Sequence, residues 1–184
     1  MSYDLFVEGG NLGLLTLAAW KEELRGLGLL VELDAGIAMG PEMRSGFAPA
    51  RLEMAEGGPL EILLRDSSDA LGEGAEVMLD VIEGVKERGP VDVGFELGSA
   101  PSRSSLTISF HSDDSGASIL FSYLAAVCAA RLTGGTLADP QIGSRGLDPS
   151  DLLGVLAAVL EEDELFFLGE GDEDLDDDED LDDP

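Results

Sequence analysis

The stretch FHSDDSGASILFSYLAAVCAARLTGG, residues 110–135, decides the fold. From Ala117 to Leu132 it is apolar on almost every side of a helix, not along one stripe. A helix without a polar face has to be enclosed, so this segment is predicted to be the central, most buried helix. Asp113, Asp114 or Ser115 supplies its cap, and Thr133-Gly134-Gly135 ends it.

The residues before it supply a sheet for this helix to lie on. Val91, Val93, Phe95 and Leu97 alternate with Asp92, Gly94 and Glu96. After the turn GSAPSRSS, Leu106, Ile108 and Phe110 alternate with Thr107, Ser109 and His111. Each strand thus has one apolar and one polar face, the pattern of an antiparallel sheet covered on one side. Outward from this pair, Tyr3 to Val7 reads as a first strand and Asn11 as the cap of a helix striped by Gly13, Leu17, Trp20, Leu24 and Leu27. Leu29, Val31 and Leu33 alternate as a second strand, and residues 35–49 read as an irregular surface loop.

A hairpin is expected next, with Leu52 and Met54 in one arm, Leu60, Ile62 and Leu64 in the other, and Glu56-Gly57-Gly58 as its turn. Ala75, Met78, Ile82 and Val85 stripe a helix from Asp69 to Arg88, ended by Gly89-Pro90. Thr136 to Ala138 reads as a short strand. Asp148-Pro149-Ser150-Asp151 opens a helix through LLGVLAAVL, with Asp148 as cap and Pro149 in the first helical position. Residues 164–168 are expected to pack back as an edge element. The expected fold is α+β, a mostly antiparallel sheet of about six strands with about four helices on one face. It forms a single domain over residues 1–168, followed by a disordered acidic tail over residues 169–184.

Charge bounds the possible partners. The 184 residues carry a formal net charge of −29, and the last 16 hold 11 of the acids and no base. Residues 1–168 still hold 28 acids against 10 bases, a charge of −18, so acidity belongs to the folded body. Such a body repels phosphate backbones and anionic membranes and attracts basic proteins. The single cysteine, Cys128, excludes an internal disulfide. The start MSYDLFVEGG has no cationic region before an apolar run, and no uninterrupted apolar stretch reads as membrane-spanning, so a cytoplasmic protein is expected.

No catalytic signature stands out. GGNLG sits where a phosphate loop sits, but lacks the spacing and the Lys-Ser/Thr of one, and reads as a tight turn. His111 with Asp113 or Asp114 is the one pairing from which a hydrolase site is conceivable, and no second His or Cys completes a zinc sphere. Cys128, among Val127, Ala129 and Ala130, reads as inert packing. In the tail, Asp172, Asp174 and Asp176 share the alternate spacing of calcium-loop ligands. Asp177 stands where the sharp turn needs Gly, and Asp183 where Glu is needed. No metal and no cofactor is therefore expected. The candidate partner-binding residues are the acids and the histidine of the polar strand phase and its neighbours: Asp92, Glu96, His111, Asp113 and Asp114, with Asp172, Asp174 and Asp176 of the tail.

MSYDLFV together with FHSDDSGASILFSYLAAVCAARLTGGTLADPQIG resembles small bacterial α+β immunity proteins that accompany secreted polymorphic toxins. The likeness covers the first strand and residues 105–145. It implies a non-enzymatic inhibitor that binds its cognate toxin, and it attaches a role to no individual residue. Three functions are weighed from the sequence. The first is an immunity protein occluding a basic, cytoplasm-acting toxin. The second is an acidic secretion chaperone or adaptor for a basic effector segment, and the third a hydrolase using His111 and Asp113 or Asp114.

Overall fold

A computed structural model of the chain describes residues 3–33, 48–98, 107–112, 115–141 and 143–162. Residues 34–47, most of the expected loop, lie outside that set, as do residues 164–168 and the tail. The described elements are β1 (Tyr3–Glu8), a 3₁₀ turn (Leu12–Leu14), α1 (Leu17–Gly26), β2 (Leu29–Leu33), β3 (Ala48–Met54), α2 (Pro59–Asp66) and α3 (Ser68–Leu71). They continue with α4 (Glu73–Arg88), β4 (Val91–Gly98), β5 (Thr107–Ser112), α5 (Gly116–Thr133), β6 (Thr136–Asp139), β7 (Ser144–Leu147) and α6 (Leu152–Glu162). The fold is α+β. One seven-stranded sheet runs in the order β2-β3-β4-β5-β1-β6-β7, and every pairing in it is antiparallel.

The apolar strand phases meet on one face of the sheet: Leu5 and Val7 of β1, Ala50 and Leu52 of β3, Val93 and Phe95 of β4, Phe110 of β5 and Leu137 of β6 are all buried. Phe95 and Phe110 stand directly opposite in register, their rings tilted at 6.2 Å. Against this face lies α5, which touches β1, β4, β5 and β6. Every residue from Ser118 to Ala130 is buried, so the helix is enclosed on all sides, as its composition requires. Helices α1 and α4 pack against α5 and also against the sheet, at β2 and β3. Trp20 of α1 packs edge-on against Phe95 at 5.6 Å, and its indole Nε1 donates to Ala125 O of α5 at 3.0 Å, so this large aromatic is buried without an orphaned donor.

By length and composition α5 is long and apolar enough to cross a membrane, which corrects the expectation that no stretch here reaches that measure. In the fold, 78% of that helix is buried by the rest of the chain. Burial pushes the Cys128 thiol on α5 up to about 12, so it stays protonated and behaves as packing.

Two glycine motifs lock the ends of this core together. Gly9 and Gly10 both have positive φ and turn the chain out of β1. A Cβ on Gly10 would sit 2.6 Å from Thr133 O and 2.8 Å from Gly135 N, in the turn that ends α5. Asn11 N donates to that same Thr133 O at 2.7 Å. GGN is thus a close backbone contact with TGG, not a ligand loop. Beyond it, Asp139 is fully buried at the end of β6, accepting from the Tyr123 hydroxyl of α5 and, at 2.8 Å, from Gln141 N. With its amide turned so that Nε2 donates to Asp4 O and Oε1 accepts from Asp4 N, Gln141 completes the edge of β1 where Pro140 ends the strand pairing.

Several expectations are corrected. The second hairpin arm, Leu60 to Leu64, is helix α2: Pro59 takes its first turn, Leu60 and Leu64 are buried one turn apart, and Ile62 is exposed. A spacing of four, not two, carries the burial. Asn11 caps only the 3₁₀ turn, and Thr16 caps α1 through Ala19 N at 3.2 Å. The helix expected from Asp69 is broken by Gly72, at φ 58°, into α3 and α4. Asp148 does not open α6. Hydrogen bonds from the Ser150 hydroxyl and backbone hold its carboxyl below the usual range, while Asp151 caps the helix through Gly154 N at 2.9 Å. Residues 48–49, expected in the loop, belong to β3, and Ser144–Leu147 adds β7. Seven strands and six α-helices are therefore described, where about six and four were expected.

Gly10→Ala is expected to lower the unfolding free energy by about 2–3 kcal/mol, because both the left-handed φ and the contact with Thr133 resist a side chain. Gly57→Ala, whose Cβ would meet nothing within 4 Å, is the control. It carries the conformational strain without the clash, so its loss should be about half as large or less in urea melts.

Candidate functional site: the open face of the sheet

The face of the sheet turned away from α5 carries the polar strand phases. Register fixes which residues are neighbours there. Glu32 of β2, Arg51 of β3 and Asp92 of β4 form one row across three strands. Pro49, Gly94, His111 and Asp4 form the next, across β3, β4, β5 and β1. Glu96, Ser109, Phe6 and Ala138 form a third, across β4, β5, β1 and β6. Leu30 and Glu53 pair at the β2 edge, and Glu8 stands between Thr107 and Thr136.

By register six acids stand at described outward positions, Asp4, Glu8, Glu32, Glu53, Asp92 and Glu96, against two bases, Arg51 of β3 and Arg145 of β7, which pairs with Ala138. Glu8, Glu32, Glu53 and Asp92 are exposed and Asp4 is half-buried. Arg51 Nε lies 3.6 Å from Asp92 Oδ1, with 55% and 71% of the two side chains exposed. A pair so wet is worth less than about 1 kcal/mol and opens readily to a competing charge. The apolar contribution is small: Phe6, half-buried, and Leu30, 48% exposed.

Three of the candidate partner-binding residues belong to this face by register. Asp92 is exposed on it, and the backbone positions of Glu96 and His111 share its alternation on β4 and β5. Asp113, Asp114, Asp172, Asp174 and Asp176 lie outside the described residues. The structure sets Asp4 directly opposite His111, a neighbour that no local sequence signal gives. Asp4, Glu8, Glu32 and Glu53 were legible only as polar positions of their strands, because strand order brings them beside Asp92 and strand order is not written locally. Among the described residues no group of three or more His, Cys, Asp or Glu side chains is placed to hold a metal ion.

A second feature lies where the end of β3 meets α4. A cleft of about 510 Å³ is lined by Glu53, Glu56, Glu83 and Glu87 together with Met54, Val85, Lys86 and Gly89. Its one cation is committed elsewhere: Lys86 Nζ lies 2.7 Å from Glu61 Oε1 and 3.4 Å from Glu83 Oε2. Glu61, on the buried side of α2, is 5% exposed, and its other cation, Arg65, is 3.9 Å away. The hydrogen bond to Glu61 raises the Lys86 ammonium above its ordinary value of 10.5. This pair fastens α2 to α4 and leaves the cleft without a free reacting group among its described lining.

Compared with known proteins, the chain matches no family model, no curated protein and no solved structure.

Lys86→Ala strips the buried Glu61 carboxylate of its nearest cation and should cost about 2–3 kcal/mol of stability, somewhat below a wholly buried pair because the ammonium keeps some water. Because the folded pKa of Lys86 is raised, its contribution is complete below its unfolded value and disappears only as pH rises through the folded one. The difference between wild type and Lys86→Ala should therefore stay constant in urea melts from about pH 7 to about pH 9 and shrink only in stronger alkali.

Proposed function

We propose that this chain is an immunity protein, a non-enzymatic inhibitor that binds and occludes a basic bacterial toxin acting in the cytoplasm. The observation that carries the reading is the acidic open sheet: register sets six described acidic positions against two arginines on one face, on a body whose charge is −18 without the tail. An acidic inhibitor meets a basic active site quickly because long-range attraction steers the encounter. The resemblance of MSYDLFV and residues 105–145 to immunity proteins supports the same reading. Deep burial of Cys128 and the engagement of Lys86 with Glu61 withdraw two reactive groups from any catalytic role, which also favours binding over chemistry. The acidic tail, as an extension of the same charge, would act at long range and chiefly at low salt.

The test is neutralisation. Cells expressing the toxic domain encoded beside this gene should survive when this chain is co-expressed, and the two purified proteins should form a complex whose association slows as salt rises. Growth arrest that co-expression does not relieve would contradict the proposal. A partner bound only as an unfolded basic segment, by a dimer of this chain, would point instead to a secretion chaperone. Loss of protection on His111→Ala alone, with the complex still formed, would revive a hydrolase.

A further inference from the structure

We infer that the open face of the sheet, centred on the Glu32–Arg51–Asp92 row, is the surface on which the basic partner docks, and that Arg51 acts there as a removable counter-charge. The inference rests on the proposal that the partner is a basic protein, and it adds where that protein sits. The acids of this face are held on paired strands, not on loops, so little ordering cost is added when a partner engages them. The helical side is acidic on α4, where Glu73, Glu76, Asp80, Glu83 and Glu87 stand against Lys86 and Arg88, but it also carries the balanced set Lys21, Arg25, Glu22 and Glu23 on α1, so cations are more frequent among its acids. A second copy of this chain is a poor occupant, since a two-fold pairing of this face would bring like carboxylates together over only Phe6 and Leu30 as apolar cover. Nucleic acid and anionic membrane are repelled by the same charges. A folded surface rich in lysine and arginine is what the face complements.

Arg51 gives the inference its own sign. In the free protein its guanidinium lies in the acidic row beside Asp92, where it screens the negative field and opposes an approaching cation. Removing it should therefore strengthen docking, whereas removing a lysine elsewhere should not, although both changes make the chain more acidic by one charge.

The experiment uses the full chain and a folded lysine-rich probe, cytochrome c, titrated at low ionic strength by calorimetry and by amide chemical-shift mapping. Arg51→Ala should tighten binding about two- to fivefold, while Lys21→Ala on α1 changes it less than about 1.5-fold. Glu32→Lys with Glu53→Lys should weaken binding about tenfold, and Glu73→Lys with Glu76→Lys on α4 by less than about threefold. Shifts should gather on β1, β2, β3 and β4. Thermal melts of each variant show that the fold is kept, as expected for exposed positions. Equal effects from the sheet and helix variants, or shifts gathered on α4, would overturn this docking face while leaving a basic partner in place. Failure of the wild type to bind the probe at low salt would overturn the basic-partner proposal itself, and this inference with it.

Discussion

A helix that is apolar on every side allows no orientation with a face toward water, and in this protein that helix is α5. Thirteen consecutive residues, Ser118 to Ala130, are buried. Each large side chain among them gains about 2 kcal/mol by leaving water, so the helix is stable only if something covers all of its circumference. The sheet covers one side through β1, β4, β5 and β6, and α1 and α4 cover others. The larger polar groups of this interior have partners, Trp20 donating to Ala125 O and Tyr123 to Asp139, whereas the small Ser122 hydroxyl of α5 is buried without one among the described residues. The glycine contact between Gly10 and the Thr133–Gly135 turn follows from the same demand, because the chain leaving β1 must pass directly over the end of α5.

Placing α5 under one face of the sheet determines what the other face is. Seven antiparallel strands whose large buried side chains are directed at one helical layer leave the alternate phase of the strands on the other face, where the small Ala138 is buried. In this sequence that phase is acidic on β1, β2 and β4 and balanced on β3 by Arg51 and Glu53, so strands distant in the chain assemble one charged surface. Fold and proposed binding role are linked in this way. The core needs alternation in each strand, and the identity of the alternate residues is free to serve a partner.

What the sequence disclosed follows from how local its signals are. The β4–β5 pairing and α5 are read correctly because a period of two and an all-round apolar run are complete within their own segments. Leu60, Ile62 and Leu64 mislead because a short run rich in Leu fits either period. Pro59 in the first turn and the pairing of Leu60 with Leu64 are the signals that favour the helix. The four residues of β7 are too few to announce themselves, and they pair with β6 across a bulge. The face of the candidate site is half legible. Asp92, Glu96 and His111 share one hairpin and are found together, whereas Asp4, Glu8, Glu32 and Glu53 join them only through the order β2-β3-β4-β5-β1.

Native-state hydrogen exchange tests the enclosure of α5 most directly. Amides from Leu120 to Ala130 should exchange only through global unfolding, with opening free energies equal to the stability from urea melts and with the same denaturant dependence. Amides of the outward positions at the β2 edge, such as Leu30 and Glu32, should open at lower cost. If the α5 amides exchanged through openings several kcal/mol cheaper than global unfolding, with little denaturant dependence, the helix would not be the enclosed centre on which the sheet and its acidic face depend.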